Sequence, residues 1–148
     1  MLNTQNVRNM FGLVSNCSSL QYINFYNFYT EKVEDMGYMF ANDISLKSLN
    51  LNNFNAKNVK NMWAMFYNVS SLHYLDLSNF NIEKVENLDA LFYHCYNLEY
   101  LDINSFRLNL NSYPIIYNFS SFGIIKVHSS VLNKIRNQIN SNWRIIQN

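Results

Sequence analysis

Glycine and proline are almost missing from this chain: three of one and one of the other in 148 residues. Tight Gly-Pro turns therefore cannot set its architecture. A glycine-rich loop able to cradle a phosphate cannot be built either. Charged residues make up only 14%, the formal net charge is +1 and no basic stripe forms, which argues against nucleic acid as a partner. No apolar run approaches the ~20 residues of a membrane-spanning helix. The opening MLNTQNVRNMFGLV lacks the basic-then-apolar order of a secretion signal. These absences leave either a protein that stays inside the cell or a piece of a longer, secreted one.

Apolar and aromatic residues are plentiful, at 49% and 16%, so the chain can bury a core and disorder is not expected. Asparagine is the most abundant polar residue, and it can take the turn positions that glycine and proline leave vacant.

The apolar residues recur at a fixed step. Val7, Val33, Val59 and Val85 stand 26 apart, and Met10, Met36, Met62 and Leu88 follow in register. So do Leu13, Met39, Met65, Leu91 and Val14, Phe40, Phe66, Phe92. Later in the unit come the columns led by Leu20, Ile23, Phe25 and Phe28, the last continuing through Phe54, Phe80 and Phe106. Each unit has two halves. In VKNMWAMF, from Val59, apolar residues fall at i, i+3, i+6 and i+7, the face of a short helix. In LHYLDLSNF, from Leu72, the period shortens to two, as in a strand. Neither a two-turn helix nor a lone strand is stable alone, but stacked copies bury each other's apolar columns. The expectation is an α/β, leucine-rich-repeat-like solenoid, with a short helix plus a strand per 26-residue repeat and one parallel sheet.

The L-x-x-L-x-L pattern ending in LDLSNFN (Leu75 to Asn81), preceded by NMWAMFYN (Asn61 to Asn68), resembles the BspA-like leucine-rich repeat surface proteins. The tail IIKVHSSVLNKIRNQINSNW (Ile124 to Trp143) is similar to that family's closing strand, helix and Trp. The resemblance implies a cell-surface or extracellular location and a role in adhesion or host contact.

Residues 4–107 are read as four repeats and 108–148 as a degenerate fifth repeat with a C-terminal cap. Asn111 and Pro114 fall at the Val and Met columns of that fifth unit, so its helical half is expected to be degraded. Ile124 and Val127 keep the strand columns. A cap helix is expected from Ser129 or Ser130, with a hydroxyl as N-cap and Val131, Leu132, Ile135 and Ile139 on its apolar face. No comparable cap precedes Thr4, and the bare edge suggests a truncated array or self-association.

The strand halves leave three outward columns. The first holds Tyr22, Ser48, Tyr74, Tyr100 and Lys126; the second Asn24, Asn50, Asp76, Asp102 and His128; the third Tyr26, Asn52, Ser78, Asn104 and Ser130. Tyr supplies large contact area at low entropic cost and Asn adaptable hydrogen bonds. Tyr22, Asn24, Tyr26, Asn50, Tyr74, Asp76, Tyr100 and Asp102 are therefore the candidate ligand-binding face, for a protein or glycan ligand. Asp76 and Asp102 should lie side by side. They read as solvated acids, since a calcium site needs six to eight oxygens.

No catalytic constellation is visible, and no cofactor or metal is expected. Cys17 and Cys95 share a column three units apart, roughly 14 Å at the spacing of strands, too far for a disulfide. Both read as small core fillers. His94 adjoins Cys95 in sequence, but neighbours on a chain point apart. His73, His94 and His128 fall at three different unit positions and do not converge on a zinc site. Sequons at Asn16, Asn68 and Asn118 matter only for a secreted eukaryotic protein. The function expected is a noncatalytic binding module, a surface adhesin or host-interaction fragment. The alternatives are an intracellular protein–protein scaffold and a structural spacer in a longer array.

Overall fold

The computed structural model describes residues 3–107 and 114–147. The chain is mixed α/β, with mostly parallel strands and one short helix. The strands are β1 (Tyr74–Asp76), β2 (Phe92–Tyr93), β3 (Tyr100–Ile103), β4 (Ile116–Tyr117), β5 (Gly123–Val127) and β6 (Trp143–Gln147), and α1 (Ser129–Ile135) lies between β5 and β6. One sheet runs β1-β3-β5-β6 and a second pairs β2 with β4, so two sheets replace the single sheet expected.

The 26-residue step is written into the backbone. Asn9 bridges Asp35, Asp35 bridges Asn61, Asn61 bridges Asn87 and Tyr22 bridges Ser48, all parallel. Tyr74 pairs with Tyr100 at the same step. The apolar columns then meet: Met36, Met39, Phe40, Met62, Met65, Phe66, Leu88, Leu91 and Phe92 are all fully buried. Phe66 lies between Phe40 and Phe92 in a stack with ring centroids 5.6 and 5.7 Å apart.

The halves read as helices are not helical. Among the described residues α1 is the only α-helix. In VKNMWAMF alternate amides turn to the next unit instead of to residue i−4: Met62 donates to Asn87 O, Ala64 to Asp89 O and Phe66 to Leu91 O, at 2.9–3.1 Å. The same ladder joins Met36, Tyr38 and Phe40 to Asn61, Trp63 and Met65. Such alternation requires left-handed residues, and two columns supply them. Gly12, Tyr38, Ala64 and Ala90 have φ between 50 and 62°, and Asn16, Asn42, Asn68 and His94 between 55 and 64°. A positive φ every few residues is incompatible with a right-handed helix. The i, i+3, i+6, i+7 pattern is met by a turn ladder with its apolar side inward, and in the last units this ladder becomes β2 and β4.

The later units shorten. Tyr100 pairs with Ile124 and Asp102 with Lys126, a step of 24, and Gly123 pairs with Trp143, a step of 20. Extending the columns by 26 into this region therefore misplaces them by two residues. Lys126 stands beside Asp102, not Tyr100, and His128 leaves the Asn/Asp column. Pro114 sits opposite Ala90, whose N–H donates to its carbonyl at 3.3 Å, and not in the Met column. Asn111 lies outside the described residues.

The closing helix starts where expected, but its N-cap is His128, whose Nδ1 accepts from the Ser130 N–H at 3.2 Å. Val131, Leu132 and Ile135 are buried. The chain then returns as β6, a strand the sequence pattern did not reveal. Its buried Trp143 donates from Nε1 to Ser120 O at 2.9 Å. A Cβ at Gly123 would lie 2.7 Å from that indole and 2.5 Å from Glu99 O, so only glycine lets β5 pass.

Candidate functional site

β1 and β3 put Tyr74 and Tyr100 on the same outward pleat and in register, and their rings stack with centroids 4.4 Å apart and planes 7° from parallel. Such a pair contributes about 0.5–1.5 kcal/mol beyond its buried area. Lys126 of β5 closes the stack, its Nζ 5.4 Å from the Tyr100 centroid and 3.4 Å from Asp102 Oδ2. The Tyr100 hydroxyl donates to the same oxygen at 3.3 Å. Tyr100, and then the Asp102 charge, hold the Lys126 ammonium above its ordinary pKa. The Tyr74 phenol is raised as well, by partial burial first and then by Tyr100 and Asp76.

The second outward column serves the fold. Oδ1 of Asn24, Asn50, Asp76 and Asp102 accepts the N–H two residues on, from Tyr26, Asn52, Ser78 and Asn104 at 2.8–3.1 Å. Each side chain thus makes the turn that follows it. Asn9, Asp35, Asn61 and Asn87 do the same at another corner of the unit, and Asn55 and Asn81 at a third. This is the physical reason for so much asparagine beside so little glycine and proline.

Exposure divides the face. Tyr22, Tyr26 and Tyr74 are 63%, 77% and 53% exposed. Asn24 and Asn50 are also exposed, while Asp76 and Tyr100 are half-buried. Asp102 departs from expectation: it is 6% exposed, with its carboxylate engaged by Lys126, Tyr100 and Asn104. It belongs to the scaffold of the face and not to its open surface. Asp76 and Asp102 are side by side in register, as the alternation implies.

Ser48 interrupts the tyrosine column between Tyr22 and Tyr74. Beside it lies a cleft of about 280 Å³, lined by Lys47, Ser48, Asn50, Asn52, Tyr74 and Asp76 over Leu49 and Leu51. A neighbouring cleft of about 450 Å³ runs along Ile23–Tyr26 and shares Asn50 and Asn52 with the first. Strand β1 forms the edge of the four-stranded sheet on this side.

A second aromatic cluster, on the turn ladders, was not singled out from the sequence. Phe11, Tyr38 and Trp63 lie with centroids 5.4–6.3 Å apart and planes within 16° of one another. Phe11 and Trp63 are exposed and come from units two steps apart. They meet because Gly37 stands between them: a Cβ there would lie 3.0 Å from the Phe11 ring. The available signal was glycine in a column otherwise held by Phe11, Trp63 and Asp89.

The thiols offer no nucleophile beside a base. Cys95 is buried, its Sγ 3.1 Å from Phe66 O, and burial pushes its pKa up to about 12. A thiol so protonated is unreactive. Cys17, expected in the core, is exposed. His94 takes a place in a side-chain ladder. Asn42 Nδ2 donates to Asn16 Oδ1 and Asn68 Nδ2 to Asn42 Oδ1, both at 3.0 Å, and Asn118 Nδ2 lies 3.3 Å from His94 Nδ1. The three sequon asparagines, Asn16, Asn68 and Asn118, all have positive φ, which explains asparagine there on conformational grounds. Among the described residues no three of His, Cys, Asp or Glu group to hold a metal ion, and no helix is long and apolar enough to cross a membrane.

No curated protein and no solved structure matches the chain. One family model does, over residues 1–112, and the chain belongs to that family, described as Mycoplasma protein of unknown function, DUF285.

Proposed function

We propose that this chain is a noncatalytic binding module: a leucine-rich-repeat-like solenoid whose strand face takes a protein or glycan ligand. Its resemblance to the BspA-like surface proteins supports a place at the cell surface, in an adhesin or host-contact protein. The observation that carries the proposal is the exposure of Tyr22, Tyr26 and Tyr74 along one face, beside a column in which Asn24, Asn50 and Asp76 make the turns. Exposed tyrosines give a partner large contact area, and Tyr74, stacked on Tyr100, has little side-chain entropy left to lose.

The test is a binding screen of the purified chain against matrix proteins, glycan arrays and whole cells, with the Tyr22→Ala/Tyr74→Ala/Tyr100→Ala variant beside it. The expected result is a ligand that the wild type retains and the folded variant loses. Binding unchanged in the variant would refute the strand face as the working surface.

A further inference from the structure

We propose that the gap at Ser48 is a subsite for one sugar ring of an oligosaccharide, stacked on Tyr74 and hydrogen-bonded by Asn50, Asn52 and Asp76. The inference rests on the strand-face reading above and narrows it to one ligand class.

The tyrosine column supplies the geometry. Tyr74 uses one ring face on Tyr100, at 4.4 Å, and lines the Ser48 cleft with the rest of its half-exposed side chain. Ser48 pairs in register with Tyr22, so the column is short of one ring. Among the described residues no bridge joins Ser48 to Tyr74, so the cleft opens between their two rows, and a ring set there on the free face of Tyr74 would lie within the ~4.5–7 Å range of ring stacking. The cleft thus leaves room for a flat group against Tyr74.

The lining decides which flat group. A phenyl ring would bring no partners for the polar atoms around it, and a tyrosine or tryptophan only one polar atom. The Asx turns occupy Asn50 Oδ1 and Asp76 Oδ1 and leave Asn50 Nδ2 and Asp76 Oδ2 for a ligand. The Asn52 amide, the Ser48 hydroxyl and Lys47 complete a rim of donors and acceptors. A pyranose has the matching two-sided character, with a C–H face for Tyr74 and equatorial hydroxyls for amide and carboxylate. The shared Asn50 and Asn52 carry the cleft into its neighbour along Ile23–Tyr26, which gives a second residue of the same oligosaccharide a place against Tyr26.

The test uses the full chain on an oligosaccharide microarray, followed by calorimetric titration of the best-retained oligosaccharide. Ser48→Tyr completes the column: it should leave thermal stability unchanged or higher and weaken sugar binding by at least about tenfold. Asn52→Ala, at an exposed position, checks the same site without adding bulk and should weaken it as well. No oligosaccharide retained by the wild type, or one bound equally by both folded variants, would overturn the sugar subsite. The broader reading is judged separately: a protein ligand lost in the triple tyrosine variant, with no sugar bound, would sustain the strand face and reject this inference.

Discussion

Asp43 stands in a column otherwise held by Cys17, Val69 and Cys95, and it is fully buried. Its Oδ1 accepts the Cys17 N–H at 2.9 Å, while Oδ2 is buried with no partner. Burial raises its carboxyl from 3.8 to about 6, against the opposing pull of that N–H. The folded pKa lies above the unfolded one, so the native state holds the proton more tightly. Stability therefore increases as pH falls through 6, and the gain levels off below the unfolded pKa. A gap of about 2 pH units corresponds to roughly 3 kcal/mol when fully realised. Between pH 7 and pH 5 the realised share is roughly 1 kcal/mol. Urea unfolding of wild type and Asp43→Asn at both pH values isolates it, because Asn keeps an acceptor for Cys17. Glu34 pulls the other way, its pKa lowered by hydrogen bonds from Lys60 and then Arg8, but it is common to both proteins and cancels. The wild type should gain roughly 1 kcal/mol relative to the variant on acidification. Parallel pH profiles would refute the buried, half-partnered carboxylate.

Ala90 has φ 57° in a turn ladder, so Ala90→Gly should be neutral or stabilising in urea unfolding; a helical residue would instead lose about 0.5–1 kcal/mol. Leu75→Ala empties a fully buried column and should cost about 2–5 kcal/mol by the same assay. A maleimide should label Cys17 rapidly in the native protein and Cys95 only after denaturation, read as one and then two adducts by mass spectrometry.

The repeat was legible because each core position packs against its own copy one unit away. Selection for size and apolarity at Val33, Met36, Phe40 and Leu46 is the same in every unit, and the period stands out. The outward tyrosines followed from strand alternation alone, and the Tyr74–Tyr100 stack is its direct product. The helical halves were misread because Val59, Met62, Met65 and Phe66 carry an apolar spacing that a turn ladder also satisfies. The contrary signal was conformational: Gly12 and Asn16, Asn42 and Asn68 sit in the columns that require positive φ. The burial of Asp102 depended on the shortened step that brings Lys126 beside it, and a column extended by 26 could not reveal that pairing.

Where the ladders recur every 26 residues, the chain can lose or gain a whole turn without changing any pairing. Deleting residues 57–82 would join Ala56 to Glu83 and leave each remaining amide facing an equivalent carbonyl. Deleting a single residue within a strand such as Tyr74–Asp76 would instead slip that strand out of phase with its neighbour, moving leucine outward and tyrosine in. Recombination between copies thus preserves the molecule, and along the 26-residue units the length of the sheet face becomes a quantity counted in integers.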